Sequence, residues 1–503
     1  MPTESPRSDT NRSPASGVSR WTKLALIGGG IAAALIAGIT IAQNRAAHHQ
    51  VPFSQRLASS ARPLDLTFTA DGWLSIEWLV NFEEYTPAQS GQILQAIDKH
   101  WRPGYMPILM ELSRYSRDRF ALGNLVRKHA GLQPTAGSNS VWHTIWKQDD
   151  PPHPNYAAFK SQLYRGIDRR FANYFSDDRP TTIRLDEVRW GGVRRDGIPP
   201  LKNPQMLAAS DARYLSDSNV VFGIEINGDA RAYPKRILAW HEMFKDTVGG
   251  VSLCGVYCTL CGMMIPYETE FDGVDHELGT SGFLYRSNKL MYDHATESMW
   301  STTKGVPVIG PLVGKGIKLK THPVVTTTWG KWRERHPETT VLSLNTGHHR
   351  DYGEGVAYQN YFSTDRLMFT VPELATNTQS PQPIANKLEV LALRFGGEPA
   401  PPTAISTQLL AQQPVYHGEY GGVPYVVVTN EAGANRVYET GGHRFKQLSA
   451  DEQSLTDEAG GKWSISEKQL SGENGTTLQR LSTHRAFWFG WQAAHPDTKL
   501  IGG

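Results

Sequence analysis

All three cysteines of the chain fall between residues 254 and 261, in Cys254-Gly-Val-Tyr-Cys258-Thr-Leu-Cys261, with Gly262 next. Two thiolates three residues apart can aim at one ion or close on each other as a disulfide. A glycine after them permits the positive φ that points backbone N–H groups at the sulfurs. Such a turn is half of a zinc or rubredoxin-type site, and no second Cys pair exists to complete it. A metal here would need His, carboxylate, Met or solvent, which leaves an open position suited to catalysis or metal transfer. His241, in Trp240-His241-Glu242, is the third ligand that the order of residues favours beside Cys258 and Cys261. With Met263 and Met264 following the pair, the soft donor set suits copper or zinc. Two plainer readings stand beside this one: a simple disulfide in an oxidising compartment, and buried inert thiols. Cys254, within Leu253-Cys254-Gly255-Val256, reads as a core residue of a strand.

A thioredoxin-like reading is weak, because that Cys pair should lead into a helix and this one leads into Met264–Thr269. A second constellation lies downstream, Leu284-Tyr-Arg286-Ser-Asn288-Lys-Leu-Met-Tyr292-Asp293-His294. Arg286, Tyr292 and Asp293, with Asn288, could bind an anionic substrate or orient the Cys site. His241 and Glu242 are the acid–base candidates. Taken singly, each of these residues could equally serve structure. His348-His349 reads as loop.

The elements that must position these residues follow from period and punctuation. Thr86-Pro87 is an N-cap with proline at N1, and Ile93, Leu94 and Ile97 share one helical face. Ile108–Leu112, Phe120–Val126 and Tyr156–Phe175 continue that style, so residues 86–175 are expected to form a small helical domain with Trp142 and Trp146 in its core. Before it, 43–85 is a tether with a short strand-like piece at Trp73–Trp78. From about 182 the texture is β-prone. Val220–Ile226, Asn227-Gly228 and Asp229–Tyr233 predict a hairpin. Pro234–Phe244 and Thr327–His336 read as helices. Val251–Tyr257, Met264–Thr269, Glu277–Phe283 and Lys289–Tyr292 read as strands.

Internal repetition is the most informative pattern. Trp329-Gly-Lys-Trp332…His336-Pro-Glu-Thr339 recurs as Trp488-Phe-Gly-Trp491…His495-Pro-Asp-Thr498. Gly249-Gly-Val251 recurs as Gly421-Gly-Val423, Tyr267-Glu-Thr269 as Tyr438-Glu-Thr440, and Trp300-Ser301 as Trp463-Ser464, all in the same order. The fold class expected is α+β: two tandem, mainly antiparallel β-rich units after a helical domain. The first unit spans 182–345, a connecting segment 346–383, and a degenerate second unit 384–503. The second copy has Val426, Asn430 and Ala432 in the Cys positions and no counterpart of His241, so the scaffold does not require the thiols. His336 and His495, present in both copies, read as turn residues.

Lys and Arg number 51 against 49 Asp and Glu, a net charge of +2, which argues against a nucleic-acid partner. Residues 1–23 are rich in Ser, Pro, Thr and Arg and read as a disordered cytoplasmic tail. Leu24–Ala42 carries no charge; as a helix it would span roughly 28 Å, close to a bilayer core. It is expected to be a retained single-pass anchor in the inner membrane, with a cleaved signal peptide as the alternative. Basic residues on its N-terminal side favour a cytoplasmic N-terminus, leaving the bulk of the chain periplasmic or otherwise extracytoplasmic.

Several of these motifs in order carry a resemblance: Gly197-Ile-Pro-Pro200, Gly223-Ile-Glu-Ile-Asn-Gly-Asp-Ala-Arg-Ala-Tyr-Pro234, Trp240-His-Glu242, Asp246-Thr-Val-Gly-Gly-Val251, Tyr257-Cys-Thr-Leu-Cys-Gly262, Leu284–Asp293 and Met299-Trp-Ser301. Together they resemble the DUF3179 family, a domain of unknown function. The likeness is strong over 182–370 and loose over the second copy. Thr259 stands where the family has Pro, and Cys254 lies outside its pattern. The family name implies no activity. From the residues, the expected function is metal-dependent or thiol-redox chemistry on a small-molecule substrate. The alternative is a non-enzymatic copper-binding or delivery module with a metal-transfer partner, or an assembly protein with a structural disulfide.

Overall fold

The computed structural model describes residues 64–148, 150–372, 384–395 and 400–502. The N-terminal tail, the apolar stretch Leu24–Ala42 and part of the connecting segment lie outside them. Among the described residues no helix is long and apolar enough to cross a membrane.

The fold is α+β with several β-sheets. Its first long helix, Pro87–Lys99, starts where the sequence predicts: Thr86 and Gln89 cap each other's backbone N–H groups, and Ile93, Leu94 and Ile97 are buried. That reciprocal arrangement satisfies two orphan donors of the first turn. Helices Tyr105–Ser113, Arg119–His129, Ser138–Lys147 and Tyr156–Arg165 follow. Trp142 is buried in their core and Trp146 stacks against it. The expected strand at Trp73–Trp78 reduces to one bridge, Phe68 with Leu74, before the helical turn Glu77–Val80. A strand isolated among helices finds no ladder for its N–H and C=O groups, so local helical bonds take them. The helix at 156 stops at Arg165 and resumes as the 3₁₀ turn Arg169–Tyr174. There Phe171 and Tyr174 join Phe283, Leu290 and Tyr292 of the neighbouring sheet in one apolar cluster.

The predicted hairpin is Val220–Ile226 with Asp229–Pro234. Asn227 and Gly228 both take positive φ, 52° and 86°, the tight turn whose twist suits a hairpin. Val325–Thr328 flanks it antiparallel on one side, and Thr340–Leu342 runs parallel on the other. Two expected helices are shorter than the sequence suggested. Lys235–His241 ends because Glu242 turns left-handed at φ 56°, and Met243–Val248 becomes a strand against Val251–Cys258. Likewise Val325–Thr328 is strand and the helix is Trp329–Arg335. In both places a waiting partner strand overrides local helix propensity. Met263–Glu268 pairs on the other side of Val251–Cys258. A third sheet contains Leu278–Tyr285, Asn288–Asp293, Met299–Ser301 and Val306–Ile309.

Farther along, Thr483–Phe487, Glu389–Leu393, Thr403–Ser406 and Lys499–Ile501 form a sheet in that order. Its pairings run antiparallel, antiparallel, parallel. These are the same order and senses as Val325–Thr328, Val220–Ile226, Asp229–Pro234 and Thr340–Leu342. The meander Val415–Tyr420, Val423–Thr429, Asn435–Glu439 likewise has the pairing of the meander that carries the cysteines.

Candidate functional site

Cys258 ends its strand, and Cys261 sits in the turn before Met263–Glu268. The turn brings the two Sγ atoms to 2.6 Å, and all three cysteines are free thiols. Gly262 has φ 60°, the left-handed value that the Cys-x-x-Cys-Gly pattern calls for. Cys261 Sγ also lies 3.4 Å from the Ser287 carbonyl oxygen.

Ionisation of the pair is asymmetric. Burial raises both thiols. At Cys258 the Cys261 thiol and the backbone N–H groups of Lys289 and Cys261 outweigh it, holding Cys258 below the ordinary cysteine range. Cys261 is pushed well up by burial and by the adjacent Cys258 sulfur. Cys254, buried without such partners, is pushed up to about 12, chiefly by burial.

A buried ion pair stands beside the thiols, Lys289 Nζ to Glu242 Oε2 at 2.5 Å. The Glu242 carbonyl oxygen accepts from the Tyr257 N–H at 2.7 Å, which ties this corner to the residue before Cys258. Two tyrosines of the connecting segment close the site. Tyr358 donates to Glu242 Oε1 at 3.3 Å, and Tyr361 donates to the Leu260 carbonyl, inside the Cys turn, at 2.8 Å. From the far end of the chain, the Phe487 N–H donates to the Cys261 carbonyl at 2.7 Å. Gly490 approaches so closely that a Cβ there would stand 2.8 Å from Cys261 Cβ. The result is a dithiol almost sealed from solvent, Cys258 being 2% and Cys261 0% exposed.

The structure unites some of the sequence candidates and disperses others. Cys258, Cys261 and Glu242 meet. His241 is not grouped with them among the described residues: Nδ1 bonds the Pro199 carbonyl at 2.9 Å and Nε2 the Tyr352 hydroxyl at 2.6 Å. Burial pushes its pKa down to about 4, so it is a neutral ring with both nitrogens engaged. Among the described residues no group of three or more His, Cys, Asp or Glu is arranged to hold a metal ion. The thiolate/imidazole set expected from the sequence is not assembled among the described residues. Arg286 is consumed by Glu187, with Nε 2.6 Å and Nη2 3.0 Å from its two carboxylate oxygens, and is not free for an anionic substrate. Tyr292 bonds Asp196 and His294 and packs into the cluster on the opposite face of its strand. Asp293 is held by His276 at 3.0 Å and by the Thr296 N–H at 2.7 Å. Asn288 donates to the Gly490 carbonyl at 2.9 Å and so fastens the helix that covers Cys261.

Lys289 was missing from the sequence candidates, although the signal existed. Met291 packs in the cluster that holds the cysteines and Leu290 and Tyr292 in the other one, so Lys289, two residues from Met291, falls on the cysteine side of the strand. Tyr358 and Tyr361 had no such signal, because no periodicity links them to residues a hundred positions earlier.

No curated protein and no solved structure matches the chain. A family model described as "Protein of unknown function (DUF3179)" matches residues 195–498, a span that takes in the Cys turn, its ion pair and the covering helix. The chain belongs to the DUF3179 family.

Proposed function

We propose that this chain carries a two-electron thiol–disulfide centre formed by Cys258 and Cys261, positioned by Glu242 and Lys289. The observation that carries the reading is the juxtaposition of the two sulfurs at 2.6 Å with opposite ionisation tendencies. A thiol held below its ordinary range is the attacking group, and its high-pKa neighbour is the resolving one. In that scheme the Cys258 thiolate attacks one sulfur of a substrate disulfide, and the first substrate thiolate leaves. The Cys261 thiol then loses its proton and attacks the Cys258 sulfur. The second substrate thiolate departs, the pair is left oxidised, and two electrons have passed to the substrate.

The sequence supports a setting for this chemistry: an anchor at Leu24–Ala42 and an extracytoplasmic body, where thiols meet oxidant. We also read the second half of the chain as a degenerate copy of the first. The matching order and sense of a four-stranded sheet and of four strands in a five-stranded one support that reading. On it, the copy without thiols serves as the wall of the copy that has them.

A structural disulfide is the second reading, favoured by the near-complete burial of both sulfurs. One experiment separates the two. The full chain is equilibrated in glutathione buffers of graded potential, and free thiols are counted by mass after alkylation. A redox centre gives a reversible midpoint above about −300 mV, in the range of catalytic dithiols, with little change in unfolding midpoint. A midpoint below about −300 mV, the range of structural disulfides, joined to a large stability loss on reduction, removes the redox reading. Cys258→Ser must abolish the two-electron transition.

A further inference from the structure

Beside the strand Val306–Ile309, where the two halves of the chain meet, lies a cleft of about 540 Å³. That size accommodates a small metabolite. Lys304, Lys318, Lys320, Arg394, Trp491 and His495 stand in its wall, and no Asp or Glu is among the described lining residues. Lys320 pairs with Glu268 at 2.9 Å, and Arg394 donates to the Tyr267 hydroxyl at 3.2 Å. Lys304 and Lys318 are exposed, and no ion pair of theirs occurs among the described residues.

The Trp-x-x-Trp…His-Pro element that occurs in both halves sharpens the point. In the first half Trp332 Nε1 donates to Thr339 Oγ1 at 2.9 Å, and His336 Nε2 meets Glu467 at 3.4 Å. At the corresponding places in the second half, Trp491 Nε1 and His495 Nε2 are buried with no hydrogen-bond partner among the described residues. Trp491 itself is 2% exposed. An orphaned buried donor is costly, and each such group calls for an explanation. These two stand in the wall of a cationic cleft. The local field is positive enough that burial, joined by Lys304 and Arg394, pushes His495 down to about 3.

The geometry points to a binding site in this cleft for a small anion, a molecule bearing a carboxylate or phosphate. Lys304, Lys318 and Arg394 supply charge, and the rings of Trp491 and His495 supply the N–H groups that the fold leaves unused. The cleft shares the helix Trp488–Ala494 with the dithiol, through Gly490, but no lining residue. The inference therefore stands or falls apart from the redox reading.

Its test is calorimetric titration of the full chain with sodium succinate and, separately, inorganic phosphate at constant ionic strength. Saturable binding of at least one anion is expected. The double variant K304Q/K318Q should weaken it at least tenfold, and Lys318→Glu alone should weaken it further than Lys318→Gln. Both lysines are exposed, so the unfolding midpoint of these variants should match the native chain and loss of fold cannot mimic the result. Failure of both anions to bind, a heat signal that chloride reproduces, or equal affinity in the double variant overturns the assignment.

Discussion

Cys254 and Cys258 lie four residues apart on one strand and so share a face, yet their surroundings set opposite chemistry. Cys258 has a second thiol and two backbone N–H groups at its sulfur; at Cys254 burial outweighs the nearby lysines and pushes the thiol up to about 12. Alkylation of the reduced chain between pH 6 and 9 should therefore label Cys258 first, with an inflection below the ordinary thiol pKa, and leave Cys254 unmodified. Peptide mass mapping over time reads this out, and labelling of Cys254 at the rate of Cys258 would contradict it. Glu242→Gln should move that inflection down, because the Glu242 carboxylate raises Cys258 and its removal takes that contribution away. The pair itself was legible in sequence, since spacing and a following glycine encode a turn. The role of His241 was not. Its position between helix and strand was readable, but the Pro199 and Tyr352 oxygens that occupy its ring nitrogens arrive from residues 42 and 111 positions away.

Short strands of this fold could be read from alternation, as the Val220–Pro234 hairpin and the Cys meander demonstrate. Helices flanked by strands could not, because pairing partners decided where Lys235–His241 and Trp329–Arg335 begin or end. Two elements with no sequence link to the cysteines control access to them. The turn Tyr358–Phe362 holds the Cys loop through the Tyr361 hydroxyl. Removing that bond with Tyr361→Phe forfeits about 1 kcal/mol, and alkylation of Cys258 should accelerate several-fold with the global unfolding midpoint nearly unchanged. The helix Trp488–Ala494 meets Cys261 at Gly490. Its neighbour there is backbone-anchored and not a flexible side-chain tip, so Gly490→Ala must shift the helix or the turn. A cost of about 1–3 kcal/mol is expected from overpacking, measured by urea unfolding. The distance between the sulfurs should change with it, seen as an altered midpoint of the dithiol; an unaltered midpoint would mean that the helix does not set the pair's geometry.

At the level of the whole chain, the two halves are joined by a buried charge network. Glu467 of the second half accepts from Arg436 at 2.6 Å, lies 3.4 Å from Arg335 and His336 of the first half, and 3.8 Å from Arg480. The carboxylate is 6% exposed as a residue, and three guanidiniums share it. Burial raises its pKa, but Arg436, His336 and Arg480 more than offset that, leaving it well below the usual carboxylate range. A depressed folded-state pKa contributes stability that is complete above the unfolded value of about 4.3 and is lost as pH falls toward the folded value. Glu467→Gln deletes the carboxylate that the three arginines share and strands them in low dielectric. Breaking a buried pair in this way costs about 3–5 kcal/mol, so the urea midpoint at pH 7 should fall sharply. The sign of the pH effect then provides the check: native stability should decline below about pH 4, and the variant should lack that component of the decline. If instead the variant unfolds in two separate steps, the network is what makes the halves one cooperative body, and the dithiol would lose its covering helix before its own sheet melts.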